Sequence, residues 1–411
     1  ACAAAAGALG RAPPGRARAA PAGVVQAAEE TSQAGRSMLH PHTSPKKQKA
    51  SGKSSEPELD CPETCTPKER VVPDIVIPFF ERDLCKLKYT ARSLGAHDPD
   101  RNLGDVYLMW VSNNPASDYK EDLAGVMKTL SETRKVHLID FSTAMKSYDL
   151  DGWHAQQLLK LKIASVVKSP YYLVMDSKNT LIKDVQGDTF FNKCNQARIF
   201  AQFNWTDIPS PHNDWYKKAA KTLGVDPPVD KPYPASITPI LLHKKTVLDM
   251  LAFIGEGAGI MKLCDGPMCP LFGVGDTSGQ GTTEFTMYNM FSYTKTKLEC
   301  TSVPEKHSAD SQDQWGLSLW RGVAENQKQV MVENMETLRN ITQGTLQPIM
   351  FGSQPSALDA LSKEQRAEAE GLLEQIYAGA GAYQKGKTTT KALVDCAIGS
   401  YEYGKNEKKF N

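Results

Sequence analysis

The stretch YYLVMDSKNTLI (171–182) places a carboxylate and an ammonium directly after an apolar run. The carboxylate of Asp176 is an oxygen ligand of the kind that binds Mg²⁺ or Mn²⁺, whereas the ammonium of Lys178 cannot be such a ligand. A lysine can instead act as a point charge toward a phosphate group. The four residues from Asp176 to Asn179 are also typical of an ordinary polar turn at the end of a strand. The stretch therefore predicts either a ligand site with an unusual charge or a capped loop.

A second carboxylate, Glu284, follows the glycine-rich segment FGVGDTSGQGTT (272–283). A positioned carboxylate can act as a general base that takes the proton of a hydroxyl group. Glycines in the preceding segment would let it close over a bound ligand and exclude water. The alternative is structural: Thr282 or Thr283 caps a helix, and Glu284 lies in its first turn, where the helix dipole favours a negative charge.

Apolar runs that alternate with helical patterns must position these residues. The runs predicted as strands are VVPDIVIPFF (71–80), DVYLMWVS (105–112), KVHLIDF (135–141) and YYLVMD (171–176). The alternation predicts an α/β fold of the Rossmann type, with a mostly parallel sheet flanked by helices. Ligands bind at the carboxyl ends of such strands. PFFERD (78–83), Asp140 and Asp176 are therefore expected at one edge of the sheet.

The two ends of the chain differ from this middle part. Residues 1–70 are rich in Ala, Pro, Gly, Ser and basic residues and contain few large apolar side chains, so they are predicted to be a disordered linker or targeting remnant. Residues 71–350 are predicted to form the folded domain, and 351–411 a helical tail. Ser362 and Gln365 form a capping-box pattern at the start of one tail helix.

Five pieces of the folded part occur in an order and spacing that carry a family resemblance. They are DIVIPFFERD (74–83), GWHAQQLLKLKIA (152–164), YYLVMDSKN (171–179), SITPILLHKK (236–245) and TTEFTMYNMF (282–291). The sequence resembles the uncharacterised glycosyltransferase-like proteins that have the GT-A fold of nucleotide-diphospho-sugar transferases. The resemblance implies a nucleotide-sugar donor, a glycan or other hydroxyl acceptor, and the transfer of a sugar between them.

The resemblance also implies roles for individual residues. Glu284 is expected to act as the base and Asp176 to lie at the donor diphosphate. The expected donor contacts are Pro78, Phe80, Glu81, Asp83, Gln157, Lys178 and Asn179, and the expected sugar or acceptor contacts are Trp153, Trp205 and Tyr288. Two other functions stay open: a binding module on the same fold that has lost catalysis, and a sugar nucleotidyltransferase. A nucleotidyltransferase would need a glycine-rich basic loop after the first strand, where this sequence has PFFERDLCKLK (78–88).

The family pattern places a second acid where this chain has Lys178, which puts a divalent cation in question. Asp176 alone matches the first position of the Asp-x-Asp motif that holds Mg²⁺ or Mn²⁺. Either Asp176 still binds a metal, helped by Asn179 or donor oxygens, or Lys178 replaces the charge of the metal at the diphosphate.

The residues of the helix predicted over 153–167 and of a later aromatic loop each have two interpretations. Trp153, Gln156, Gln157 and Lys160 either form a polar ledge beside the donor or divide into a core anchor and a solvated face. Trp205, His212, Trp215 and Tyr216 either stack on sugar rings or cover the core.

Composition excludes several classes. A net charge of +1 gives no reason to expect nucleic acid as a partner, and no apolar stretch is long enough to span a membrane. No P-loop, dinucleotide fingerprint, nucleophile elbow or His-Glu-x-x-His motif is present. The nine cysteines include two close pairs, Cys61–Cys65 and Cys264–Cys269, each a candidate local disulfide. The secretory pathway is favoured over plastid or cytoplasm as the compartment.

Overall fold

The first apolar run forms strand β1 (Asp74–Phe79), in which every residue is buried. Val76 packs into one core, whereas Ile75 and Ile77 pack into another on the opposite face of the sheet. Successive side chains of a strand point to opposite faces. A continuous apolar run is therefore what a strand covered on both faces requires.

The structure is a computed structural model, and it describes part of the chain. The described residues are 71–148, 152–192, 194–198, 201–208, 212–257, 259–261, 281–296, 301–302, 315–319, 327–354, 357–382 and 396. All of them belong to one unit that spans residues 54–411. The predicted disordered segment 1–70, the cysteine pairs Cys61–Cys65 and Cys264–Cys269, and most of the glycine-rich segment lie outside the described residues.

The other strands follow in chain order. They are β2 (Val106–Trp110), β3 (Val136–Asp140), β4 (Tyr171–Val174), β5 (Thr180–Leu181), β6 (Ala197–Arg198), β7 (Ala201–Phe203), β8 (Tyr233–Pro234), β9 (Ile240–His243), β10 (Thr301–Ser302), β11 (Gly316–Leu319) and β12 (Met350–Ser353). The helices are α1 (Leu84–His97), α2 (Lys120–Ser131), α3 (Ser142–Tyr148), α4 (Gly152–Lys162), α5 (His212–Leu223), α6 (Lys244–Phe253), α7 (Glu284–Thr294), α8 (Gln327–Thr342) and α9 (Lys363–Gly379).

The central sheet has five strands in the order β3-β2-β1-β4-β9. The first four are parallel, and β9 is antiparallel to β4. Helices α1 and α2 contribute to the core on one face, and α4 to α7 contribute to the core on the other. The predicted α/β fold, with a mostly parallel sheet flanked by helices, is confirmed. The carboxyl ends of β1 to β4 consequently lie at one edge.

The predicted helix over 153–167 forms as α4, which continues into a short 3₁₀ helix, Ile163–Ser165. The predicted capping box at α9 also forms. The Ser362 hydroxyl accepts a hydrogen bond from the Gln365 backbone N–H at 3.2 Å, and the Gln365 amide oxygen accepts one from the Ser362 N–H at 3.1 Å.

The predicted boundary between a domain ending at 350 and a helical tail cuts through β12, which lies between β11 and β5 in a second, three-stranded sheet. Helix α9 packs with α1 in a third core, where Tyr89 and Tyr377 are in ring contact at 5.6 Å. A disulfide joins Cys85 of α1 to Cys396. The described part of 351–411 is therefore integrated into the fold.

Within the described ranges, no helix has the length and apolar character needed to cross a membrane.

Candidate active site

The turn after β4 is held in place by its own side chains and by α1. The backbone N–H of Asp176 donates to the side-chain oxygen of Asn179 at 2.7 Å, and the Asn179 N–H donates to the Asp176 carbonyl at 2.9 Å. The Thr90 hydroxyl of α1 donates to the Ser177 carbonyl at 2.8 Å. These bonds fix the position of Asp176 at the carboxyl end of β4.

Strand β12 supports the same turn from a second side. A Cβ atom on Gly352 would lie 2.9 Å from the carbonyl oxygen of Lys178 and 3.1 Å from its Cγ. Contacts this short do not occur without displacement, so glycine is what permits β12 to approach the turn so closely.

We expect Gly352→Ala to destabilise the protein by about 1–3 kcal/mol, because the added methyl group must displace the backbone of Lys178. Urea unfolding measures the effect. Gly371→Ala is the matched control, since a Cβ on this helical glycine meets nothing within 4 Å. It should instead stabilise α9 by about 0.5–1 kcal/mol. Equal effects of the two substitutions would contradict the close packing.

The Asp176 carboxylate lies between two ammonium groups. One oxygen accepts a hydrogen bond from Lys160 of α4 at 3.3 Å, and the other accepts a very close one from Lys178. Burial raises the pKa of Asp176, but the charges of Lys160 and Lys178, with a hydrogen bond from Thr238, outweigh it and hold the pKa well below its ordinary value. Asp176 is therefore ionised at every physiological pH.

Lys160 also connects Asp176 to Glu284. Its ammonium donates to a Glu284 carboxylate oxygen at 3.2 Å and lies 5.2 Å from the centre of the Phe285 ring. The Lys160 side chain is 6% exposed. Burial lowers the pKa of Lys160, but Asp176 and Glu284 more than offset this and raise it above its ordinary value. Lys160 is thus a permanent charge bridging two elements that are distant in sequence.

Glu284 begins α7. Thr283 caps this helix, and its hydroxyl accepts a hydrogen bond from the Thr286 N–H at 3.3 Å, so the predicted helix start is confirmed. The Glu284 side chain is 5% exposed. Burial raises the pKa of Glu284 above its ordinary value, although Lys160 opposes the shift. A carboxyl group with a raised pKa is a stronger base once it is ionised.

The end of β1 continues into a short 3₁₀ helix, Glu81–Asp83, next to this cluster. The Asp83 carboxylate accepts a hydrogen bond from the Phe80 N–H at 3.2 Å. Burial raises the pKa of Asp83, while Lys86 and Arg82 oppose the shift and the negative charge of Asp176 reinforces it. Asp83 is therefore in electrostatic contact with the acid at the end of β4, as expected for two parallel strands that end at one edge.

The chain matches one family model and is similar to several solved structures. Residues 81–330, more than half of the chain, match the profile of DUF6492, a family of unknown function. The chain belongs to the DUF6492 family. A search of curated protein sequences finds no match to it.

Glycosyltransferases are among the solved structures to which this DUF6492 protein is similar. The galactosyltransferase LgtC, in complex with donor and acceptor sugar analogues, has a TM-score of 0.40 and 10% identity over 74% of this chain and 95% of LgtC. Mouse xyloside xylosyltransferase 1 has a TM-score of 0.35 and 11% identity over 68% of this chain and 97% of its own. The glycosyltransferase GlyE of Streptococcus pneumoniae TIGR4 has a TM-score of 0.38 and 11% identity over 75% of this chain and 62% of GlyE, less than two thirds of its length.

The predicted sugar contacts occupy three different environments in the DUF6492 protein. Trp153 is 45% exposed, at the start of α4. Trp205 is half-buried and packs on Tyr233 with ring centres 5.1 Å apart. Tyr288 is fully buried, and its hydroxyl accepts a hydrogen bond from the His243 N–H at 3.0 Å. Every residue of α7 around Tyr288 is buried, and its role as a sugar or acceptor contact stays a prediction.

Two of the predicted donor contacts also belong to the scaffold. Pro78 is buried within β1, opposite Met109 of β2, instead of lying beyond the strand end. Asn179 is fully buried and uses its side-chain oxygen to hold the turn after β4. The amide nitrogen of Asn179 has no hydrogen-bond partner among the residues that the structure describes, so Asn179 and Pro78 both stay predicted donor contacts. Phe80 and Glu81 do lie at the strand end and are partly exposed.

Gln157 is buried on α4 at 2% exposure, one turn before Lys160. Neither its amide nitrogen nor its amide oxygen has a hydrogen-bond partner among the residues that the structure describes. An unpaired buried amide is unfavourable unless a ligand or water completes it. Gln157 therefore remains a predicted donor contact.

The sequence left Lys160 open between a polar ledge beside the donor and a solvated helix face, and it gave no role to Lys86. Lys86, in the first turn of α1, is mostly buried; burial lowers its pKa, Asp83 opposes the shift, and Lys178 and Arg82 reinforce it. For Lys160 the available signal was its position away from the apolar stripe of α4, which suits a solvated residue equally well. Its acidic partners are not close to it in the sequence.

The Asp176 environment does not fit a divalent cation. Both carboxylate oxygens already accept hydrogen bonds from ammonium groups. Across the described ranges, no cluster of three or more His, Cys, Asp or Glu residues is arranged to hold a metal ion. Hard divalent cations take several oxygen ligands. A cation at Asp176 would have to displace at least one lysine.

Proposed function

We propose that this protein is a glycosyltransferase that moves a sugar from a nucleotide-diphosphate donor to a hydroxyl acceptor. The observation that carries the proposal is the array Lys178–Asp176–Lys160–Glu284, which joins the partly exposed end of β4 to the buried start of α7. It combines positive charge with an acid of raised pKa at the ligand-binding edge of a parallel sheet. These are the two elements that sugar transfer from a diphosphate requires.

The leaving group of such a reaction is a nucleoside diphosphate, on which negative charge develops as the glycosidic bond breaks. In the proposed mechanism the Lys178 ammonium donates to the diphosphate and stabilises that charge. Asp176 orients Lys178 through their shared hydrogen bond, and Lys160 keeps Asp176 ionised. The lysine thereby takes the place of a divalent cation, with which the ligand set of this site does not agree.

Glu284 is the proposed general base. Its ionised carboxylate would accept the proton of the acceptor hydroxyl while that oxygen attacks the anomeric carbon. Burial raises the pKa of Glu284, which strengthens it as a proton acceptor. Lys160 holds one carboxylate oxygen at 3.2 Å and so orients the carboxylate. Gln157, Phe80, Glu81 and Asp83 are proposed to contact the donor, and Trp153 and Trp205 the sugar or acceptor.

Donor binding is expected to survive a chelator and to depend on Lys178. A panel of nucleotide sugars is added to the protein in EDTA, and thermal unfolding reports which donor raises the Tm. Released nucleotide is then measured with and without hydroxyl acceptors. Lys178→Ala should weaken donor binding by about tenfold to a hundredfold, the effect of one charge-assisted contact. Lys183→Ala, which removes an exposed lysine just beyond β5, is the control and should change nothing.

The absence of stabilisation, hydrolysis and transfer with every donor would overturn the proposal. Loss of donor binding in EDTA, restored by Mg²⁺ or Mn²⁺, would overturn the role given to Lys178 alone.

One observation favours a second function, a donor- or glycan-binding module without catalysis. Glu284 is 5% exposed and paired with Lys160, as a residue that only fixes the start of α7 would be. Such a module would bind a nucleotide sugar without turnover and would be indifferent to replacement of Glu284.

A further inference from the structure

Lys86 continues a face of α1 that is pressed against the turn after β4. Thr90, one turn later on the same helix, donates its hydroxyl to the Ser177 carbonyl at 2.8 Å. Residues four apart share a helix face. Lys86 therefore extends this face toward the edge where β1 and β4 end, beside Lys178, whose charge acts on it.

The Lys86 side chain is buried, and its ammonium lacks a close partner among the described residues. It is 7% exposed, and within the described part of the chain it makes no hydrogen bond or ion pair. The negative charge that acts on it is that of Asp83, whose carboxylate already accepts the Phe80 N–H at 3.2 Å. A buried charge without a partner is unfavourable. Such a residue is explained most directly if a ligand brings the missing negative charge.

We propose that Lys86 and Lys178 together bind the two phosphate groups of a nucleoside diphosphate, with one ammonium from α1 and one from the turn after β4. The 14-residue helix α1 begins here and adds the positive end of its dipole. The inference rests on the proposed function for the identity of the ligand and adds a residue from a second element. It also accounts for two like charges placed side by side, because a doubly charged anion relieves their repulsion.

The Lys86 site is tested first with inorganic pyrophosphate, which lacks both nucleoside and sugar. Isothermal titration in EDTA measures binding of pyrophosphate, of the diphosphates of uridine, guanosine, cytidine and adenosine, and of the four free nucleosides. Lys86→Met should weaken pyrophosphate and the bound nucleoside diphosphate at least tenfold and leave nucleosides unaffected. Lys86→Arg should retain part of the affinity. Lys88→Met is the control, since Lys88 lies on the same helix but is exposed and pairs with Asp122.

Unfolding of the ligand-free protein separates an anion site from a structural lysine. Lys86 makes no hydrogen bond or close ion pair among the described residues, so Lys86→Met should lower the Tm of the ligand-free protein much less than the loss of a buried ion-pair partner would. A lower Tm together with unchanged pyrophosphate affinity would show that Lys86 is structural and would overturn the inference.

The outcomes separate this inference from the proposed function. Pyrophosphate binding that depends on Lys86, in a protein that transfers no sugar, would support the anion site and contradict the glycosyltransferase. Nucleotide-sugar binding that is unchanged in Lys86→Met would contradict the anion site and leave the glycosyltransferase supported. A protein that binds neither pyrophosphate nor any nucleoside diphosphate would overturn the anion site outright.

Discussion

Lys160→Met is expected to lower the free energy of unfolding by about 3–5 kcal/mol at neutral pH, the typical effect of removing one partner from a buried ion pair. Methionine keeps the length and apolar stem of the side chain, so little packing is lost. Glu284 then faces the core without its counter-charge, because the Lys160 ammonium 3.2 Å away is its ion-pair partner. Asp176 retains Lys178. The deficit should therefore come mainly from Glu284.

The deficit should also depend on pH. Burial already raises the pKa of Glu284, and loss of Lys160 removes the main effect that opposes this shift. The variant therefore binds a proton at Glu284 more tightly when folded than when unfolded, where the pKa is about 4.3. By linkage, the stability of the variant falls as the pH rises from the pKa of Glu284 in the unfolded chain toward its higher pKa in the folded protein. The gap between variant and unaltered protein should be largest at neutral pH and shrink toward about pH 4.3.

Urea unfolding at several pH values measures the effect of Lys160→Met. The double variant with Glu284→Gln should recover much of the lost stability, because no unpaired charge remains at Glu284. Lys168→Met is the control: Lys168 also pairs with an acid, Asp105, but is 61% exposed, so its loss should matter little. A small, pH-independent effect of Lys160→Met would show that the two acids are solvated in solution.

Local patterns predicted those parts of the fold and site that a single segment determines. The apolar run at β1 indicates a strand that is buried on both faces, and Asp176 comes directly after the apolar run of β4. Neighbouring residues alone are enough to predict these two features. They are not enough for Lys160, because its environment is created by Glu284, 124 residues away. The place of β12 beside β5 is likewise a long-range pairing. Contacts between distant segments leave no periodicity in either segment.

Tyr288 is a different case, since a signal was present. Five of the seven residues of FTMYNMF (285–291) are large and apolar and cover most of the helix circumference, and a helix of this kind is enclosed by core. An aromatic residue within it packs in the interior. Glu284, the first residue of α7, is buried as well, and Lys160 is its ion-pair partner there.

Glu284→Gln is expected to reduce sugar transfer by about 10²–10⁴-fold while donor binding changes little, because a general base contributes about this factor to the rate. Glutamine keeps the shape of the side chain and can still accept a hydrogen bond from Lys160, so α4 and α7 should remain in register. The amide cannot take a proton from the acceptor. Initial rates at saturating donor, compared with donor titration by isothermal calorimetry, separate the two effects.

The pH dependence of sugar transfer by the unaltered protein is an independent test of Glu284 as the general base. A base must be ionised, so the rate should rise with pH through the pKa of Glu284 and then level off. Because burial raises that pKa, the midpoint should lie above the value of about 4.3 for an ordinary glutamate. The residual activity of Glu284→Gln should not show this rise of the rate with pH. If Glu284→Gln keeps full activity and the same rise of the rate with pH, another group takes the proton. If both proteins bind the donor without turnover, the binding module is favoured, in which Glu284 serves only to begin α7.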